Sequence, residues 1–145
     1  MLAELREAGE SFHGVILTEG RAASGGRAEV FVPGSLVWPE AGISITDGHG
    51  GDRLASAVPA RAEGEIRITA PATDSLRQAV AAGRKFMSIE FRSLSERQTR
   101  GGVREVLRAF VDVAALVSDP EYDTTRAEVR AADHRRVIWG CLAGS

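Results

Sequence analysis

The chain is 145 residues long, 43% hydrophobic, 26% charged and 6% aromatic, with a formal net charge of −2. That length fits one domain around a single core and excludes a second large one. The composition excludes wholesale disorder and collagen-like repeats, and the charge balance removes the global argument for a nucleic-acid partner. All 18 basic residues but Lys85 are arginine, a bias read first as base composition. The lone cysteine, Cys141, makes neither an intrachain disulfide nor a multi-thiolate metal site. Met1–Glu7 alternates acidic with apolar residues and lacks the basic flank and apolar run of a signal peptide. Nothing approaches the roughly 18 consecutive apolar residues of a membrane span. A soluble, cytoplasmic protein with no membrane partner is expected.

In chain order, Phe12–Thr18 is short, apolar and β-branched and stops at Glu19-Gly20, which reads as a strand and a turn, with a loop at residues 22–26. Ala28–Val32 reads as a second strand, ended by Pro33-Gly34 because proline lacks the N–H a ladder needs. A turn at Trp38–Gly42 precedes Ile43–Thr46, whose alternation gives one apolar face, and a glycine-rich loop, Asp47–Asp52, follows. Leu54–Ala60 and Gly64–Thr69 read as two strands connected through Arg61–Gly64 as a hairpin. Helical spacing is clear once: Thr73 or Asp74 caps a segment with Leu76, Ala79 and Val80 one turn apart, and Gly83 ends it. Phe86–Phe91 returns to period two, with Met87, Ile89 and Phe91 on one face and Ser88 and Glu90 on the other. After a turn at Arg100–Gly102 comes Val103–Val117, a strongly β run in which Val111, Val113 and Ala115 are expected on one face, opposite Asp112. Asp119–Tyr122 reads as a turn, Arg126–Arg130 as a last strand and residues 131–145 as a tail. Many short strands and one helix predict a β-rich α+β domain, mostly antiparallel, forming a small barrel or a curved sheet.

Three residues stand out chemically. His49 lies in a glycine-bracketed loop directly after a strand, where functional side chains are often displayed. Ser88 puts a small hydroxyl on the less apolar face of its strand. Asp112 is a carboxylate within the most apolar stretch, and such a group needs an exposed face or a partner. Together they have the chemistry of nucleophile, base and orienting carboxylate. An unassisted serine is a weak nucleophile, a histidine with a pKa near about 6.5 takes its proton, and a carboxylate fixes the ring tautomer. The chain has no Gly-x-Ser-x-Gly elbow, which disfavours an α/β-hydrolase. It has no Walker loop, Gly-x-Gly-x-x-Gly or His-Glu-x-x-His, so nucleotide-dependent and zincin chemistry lack support, and no cofactor is expected. Asp47, His49 and Asp52 give an alternative, divalent-metal reading of the same loop.

The order of motifs carries a resemblance. Phe12-x-Gly14, Glu29-x-Phe31-x-Pro33-Gly34-Ser35, the His49 loop, a helix ending at Gly83 and Met87-Ser88-Ile89-Glu90-Phe91-Arg92 lead into a late block. That block is Phe110-Val111-Asp112-Val113-Ala114-Ala115-Leu116-Val117-x-x-Pro120-x-Tyr122. The set resembles the tailed-phage prohead protease family over about residues 10–130 of a single domain, with 131–145 as its tail. The resemblance implies a serine endopeptidase with a β-barrel and a few helices, similar to the herpesvirus capsid-assembly protease. It implies a catalyst that cuts scaffold segments from the major capsid protein inside the immature capsid, with self-processing and self-association. The compact length is similar to versions carried by phage-derived gene transfer particles.

Residue by residue, the resemblance makes Ser88 the nucleophile, His49 the base and Asp112 the orienting carboxylate, while His13 and His134 are poor replacements by context. The chain departs from the family pattern at Ala114, where serine is common, and at Pro120-Glu121, where Pro-Ala is common. Both departures bear on the late strand and its substrate edge, to which an extended peptide would add by backbone hydrogen bonds. Backbone N–H groups near Arg100–Gly102, or Arg104, are the candidate oxyanion donors. The departures and the short length also motivate a second reading, a catalytically inactive protease-like protein that binds capsid or scaffold chains.

Overall fold

The longest apolar run becomes the longest strand. β9 (Arg104–Val117) pairs along one edge with β8 (Phe86–Gln98), antiparallel. Its other edge takes three short strands in turn, all parallel: β2 (Glu29–Phe31), β3 (Leu36–Val37) and β4 (Ile43–Asp47). β5 (Arg53–Ala57) adds antiparallel to β4. The second sheet runs β10-β1-β7-β6, all antiparallel, from β1 (Glu10–Thr18), β6 (Ala60–Ala62), β7 (Glu65–Pro71) and β10 (Arg126–Ala131). The computed structural model describes residues 10–20, 29–119 and 125–131. The loop at 22–26, most of the turn at 119–122, His134, Cys141 and the tail beyond residue 131 lie outside the described residues. Among the described residues no helix is long and apolar enough to cross a membrane.

The apolar faces of the two sheets meet in one core. Phe12, Ile16 and Leu17 of β1 and Ile66 and Ile68 of β7 are buried with Ile43, Ile45, Met87, Ile89, Val106, Val111 and Leu116 of the larger sheet. Each such side chain contributes about 1.5–3 kcal/mol when fully buried. Phe31 and Phe91 meet edge to face at 5.1 Å. Gly14 marks the closest approach: a Cβ there would lie 2.5 Å from Met87 Sδ and 3.1 Å from Ile68 Cγ1. Only glycine lets β1 press against the start of β8, one residue before Ser88.

The single helix among the described residues, α1 (Asp74–Ala81), forms as its sequence signals predict. Thr73 Oγ1 accepts from the Leu76 N–H at 3.3 Å, Leu76 and Ala79 face the core, and Gly83 at φ +98° turns the chain away.

Several expectations are corrected. Among the described residues no strand ladder joins the sheets, so the expected barrel is not closed. β1 has both edges filled by β7 and β10, and β9 has both edges filled by β8 and the parallel trio. The starts of β8 and β10 are linked by Met87 N–H to Thr125 Oγ1 at 3.1 Å and by Ala127 N–H to the Lys85 carbonyl at 2.8 Å, without a ladder. The strand expected over Leu54–Ala60 breaks after Ala57, at Val58-Pro59, and its last residue opens β6, which forms the hairpin with β7. The face expected for Val111, Val113 and Ala115 is also wrong. Glu90 pairs with Val113 but Phe91 pairs with Val111, so Asp112 is an extra residue in a bulge. Val111 and Ala114 are both in the core, and Asp112 and Val113 both fall on the outer side.

Candidate active site

The outer face of the larger sheet carries the site, and the histidine reaches it from a tightly built loop. Beyond β4, the Gly48 N–H bonds to the Leu116 carbonyl of β9 at 3.0 Å, and the Asp47 N–H closes the loop on the Asp52 carbonyl at 2.9 Å. Thr46 Oγ1 donates to the Gly48 carbonyl at 2.9 Å. A Cβ on Gly51 would fall 1.8 Å from the Asp47 carbonyl oxygen, so this turn requires glycine. Gly48 and Gly50, on either side of His49, take φ of +75° and +71°, which L side chains rarely adopt. The loop therefore folds His49 back toward the sheet it has just left.

There it meets β8. His49 Nδ1 lies 3.5 Å from Glu90 Oε2, with the two side chains 55% and 44% exposed. Register fixes what lies beside that contact. Thr46, Ala115 and Ser88 form one row across β4, β9 and β8, and Ser44, Val113 and Glu90 form another. Ser88 and Glu90 are two residues apart and share the outer face of β8. The imidazole thus stands on the face that carries the Ser88 hydroxyl, with Nδ1 toward a carboxylate and Nε2 as the other nitrogen. Ala115, between Thr46 and Ser88, offers only a methyl group to that surface. Ser88 is 4% exposed and, among the described residues, forms no side-chain hydrogen bond.

Asp112 is on the same outer face because of its bulge, yet among the described residues it makes no ion pair and is not His49's partner. It helps to line a hollow of about 220 Å³ with Glu90, Phe91, Arg92 and Phe110, in which the Arg92 guanidinium lies 5.3 Å from the Phe110 ring centre. The structure therefore sets His49 against Glu90, two residues along the same strand face from Ser88, and places Asp112 in a hollow that Glu90 also lines.

Other candidates are dispersed. Arg104 pairs with Gln98 next to the Arg100–Gly102 turn, eleven residues along β9 from Ala115, the partner of Ser88. At about 3.3 Å per residue that is about 36 Å along the strand, which puts that turn and Arg104 at the far end of the β8–β9 pair from Ser88. Arg104 is instead held by Glu29, at 2.8 Å, and by Glu96. Asp47 is engaged by Arg84 while His49 turns to Glu90, and among the described residues no three His, Cys, Asp or Glu side chains gather to hold a metal. His13 lies on the other sheet, in a groove of about 330 Å³ lined also by Arg67, Thr69, Arg126, Glu128 and Arg130.

Glu90 is the residue that sequence reasoning missed. Its signal was present, since period two puts it on the Ser88 face, but nothing local to β8 says that a loop forty residues earlier folds over it. Compared with known proteins, the chain matches no family model, no curated protein and no solved structure. The functional reading therefore stands on motif order and site geometry.

Proposed function

We propose that this protein is a serine endopeptidase that cuts scaffold segments from capsid subunits during prohead maturation, with Ser88 as nucleophile and His49 as general base. The observation that carries the reading is the folding of His49 on to the Ser88 face of β8 with Nδ1 toward a carboxylate. That arrangement suits transfer of the Ser88 proton to Nε2 as Oγ attacks the scissile carbonyl. That carboxylate is Glu90, while Asp112, the candidate from motif order, lines the hollow beside it. The 3.5 Å separation is longer than a hydrogen bond, as catalytic contacts in unliganded sites often are. The work would take place in the bacterial cytoplasm, inside the immature capsid, on the major capsid protein and its scaffold segment, with self-association. Kinship with the herpesvirus capsid-assembly protease fold belongs to the same proposal.

The test is incubation of the purified protein with its capsid precursor, wild type beside Ser88→Ala, followed by intact-mass measurement of both chains. Cleavage by wild type alone is expected; equal cleavage by Ser88→Ala removes the nucleophile assignment. One observation favours the second reading. With Ser88 at 4% exposure, a protease-like protein that binds capsid chains without cutting would leave the precursor intact but co-purifying with it.

A further inference from the structure

We propose that Glu90, not Asp112, is the positioning residue for His49, an assignment that deepens the protease reading above and rests on it. Glu90 is the carboxylate that His49 Nδ1 faces, at 3.5 Å. Its spacing from Ser88 along β8 is comparable to what the chemistry needs. Two residues along a strand cover about 6.6 Å, a span that an imidazole bridges when bonded at both nitrogens at roughly 2.8 Å each. Ser88-x-Glu90 thus places both partners of the ring on one strand face, and the rigid β8–β9 pairing holds them in register. The glycine-built turn at 48–51 carries the ring to the Glu90 end of that pair. Asp112 comes from the neighbouring strand at a bulge, faces the hollow beside Phe110 and Arg92, and is not in contact with His49 among the described residues.

The contact has little structural reason to exist. Both side chains are about half exposed, and exposed ion pairs of this kind contribute little to stability. Its chemical role is definite. A carboxylate at Nδ1 keeps the proton on that nitrogen and leaves the Nε2 lone pair for the serine. The Oγ–H proton moves to Nε2 as the Oγ–C bond forms. The imidazolium returns that proton to the leaving amine as the C–N bond breaks, and Glu90 stays ionised throughout. Water then adds to the acyl carbon as His49 takes its proton, and the imidazolium gives that proton to Oγ as the C–Oγ bond breaks, freeing the acid product and the Ser88 hydroxyl.

A fluorophosphonate probe, which phosphonylates an activated serine, tests this on the full chain without knowledge of the natural sequence cut. Labelling rates are measured against pH for wild type, Ser88→Ala, Glu90→Gln, Glu90→Asp and Asp112→Asn. Glu90→Gln is expected to slow labelling by about 10²-fold or more, with Glu90→Asp recovering much of the loss and the pH profile displaced only in the Glu90 variants. Asp112→Asn is expected to stay within about threefold of wild type. Glu90→Gln remaining within that margin, or Asp112→Asn falling as far as Glu90→Gln, overturns the assignment. If wild type is not labelled at all, the protease reading fails, and the pair is judged separately by long-range proton–nitrogen NMR of the His49 ring. An Nδ1–H tautomer in wild type and Asp112→Asn that is lost in Glu90→Ala supports the pair. The same tautomer in Glu90→Ala refutes it.

Discussion

Two glutamates, Glu19 and Glu90, show how one side chain serves opposite ends in this molecule. Glu19 follows β1 and is sealed, its side chain 3% exposed. It accepts from the Gly34 N–H and the Leu36 N–H at 3.1 Å each and from Arg61 Nε at 2.9 Å and Nη2 at 3.3 Å. Arg61 also donates to the Leu36 carbonyl and lies 4.8 Å from the Trp38 ring centre. Glu90 is 44% exposed and, among the described residues, has one polar side-chain contact, at 3.5 Å. A carboxylate whose lone pairs are all taken fixes the fold, here clamping the β2–β3 turn to β6. One with spare capacity and a half-exposed histidine against it is placed for chemistry.

The sharpest way to break this contrast is to remove each carboxylate and compare stability. Glu19→Ala leaves two backbone N–H groups and a guanidinium without their acceptor, and is expected to cost about 3–5 kcal/mol, read as a lower urea midpoint at unchanged slope. A loss comparable to that of a surface substitution would show that the clamp is not structural. Next comes the support of the histidine loop. Gly51→Ala must push a Cβ away from the Asp47 carbonyl, at about 1–3 kcal/mol for overpacking. It should also disturb the His49 ring resonances, and unchanged resonances would mean that the turn does not aim the ring.

Acid probes the Glu19 carboxylate and His13 in different pH windows. Burial alone pushes the Glu19 carboxyl up, but hydrogen bonds from Arg61, Leu36 and Gly34 together outweigh it and hold it below its ordinary range. For His13, burial comes first and the neighbouring Arg130 second, and together they lower its pKa against the opposing pull of Glu128. Both shifts are downward, so the unfolded chain binds more protons in each window and stability is lost as pH falls. The loss starts below 6.5 for His13 and below 4.5 for Glu19. Urea midpoints measured from pH 8 to 3 should decline in two steps, and His13→Gln should remove only the upper one. Midpoints that rise on acidification would contradict both signs. The smallest effect is expected at Glu90 itself, where Glu90→Ala should leave stability within about 0.5 kcal/mol of wild type by the same urea measurement. A drop of several kcal/mol would make it a second Glu19.

Local rules were enough for most elements. Alternation gave the core faces of β4 and β8, because a strand half buried on one side must alternate. Thr73 and Gly83 bounded α1 because their chemistry acts within one turn of the helix. The misses have one origin. A bulge is a relation between two strands, so the alternation of β9 could not show that Asp112 and Val113 share a side. Parallel pairing of β2, β3 and β4 with β9 left no trace in those short segments either, because the hydrogen bonds are made with residues some 70 positions away.

By itself the sequence determined a β-rich architecture with, among the described residues, one short capped helix, and singled out Ser88 and a histidine loop, because hydrophobic period, caps and turn glycines act over a few residues. Only the tertiary structure decided that the sheets stay open, that the oxyanion candidates at Arg100–Arg104 stand far from Ser88, and that His49 faces Glu90 instead of Asp112. Each of those is set by strand register and loop direction, which are properties of residues distant in the chain that meet only when it folds.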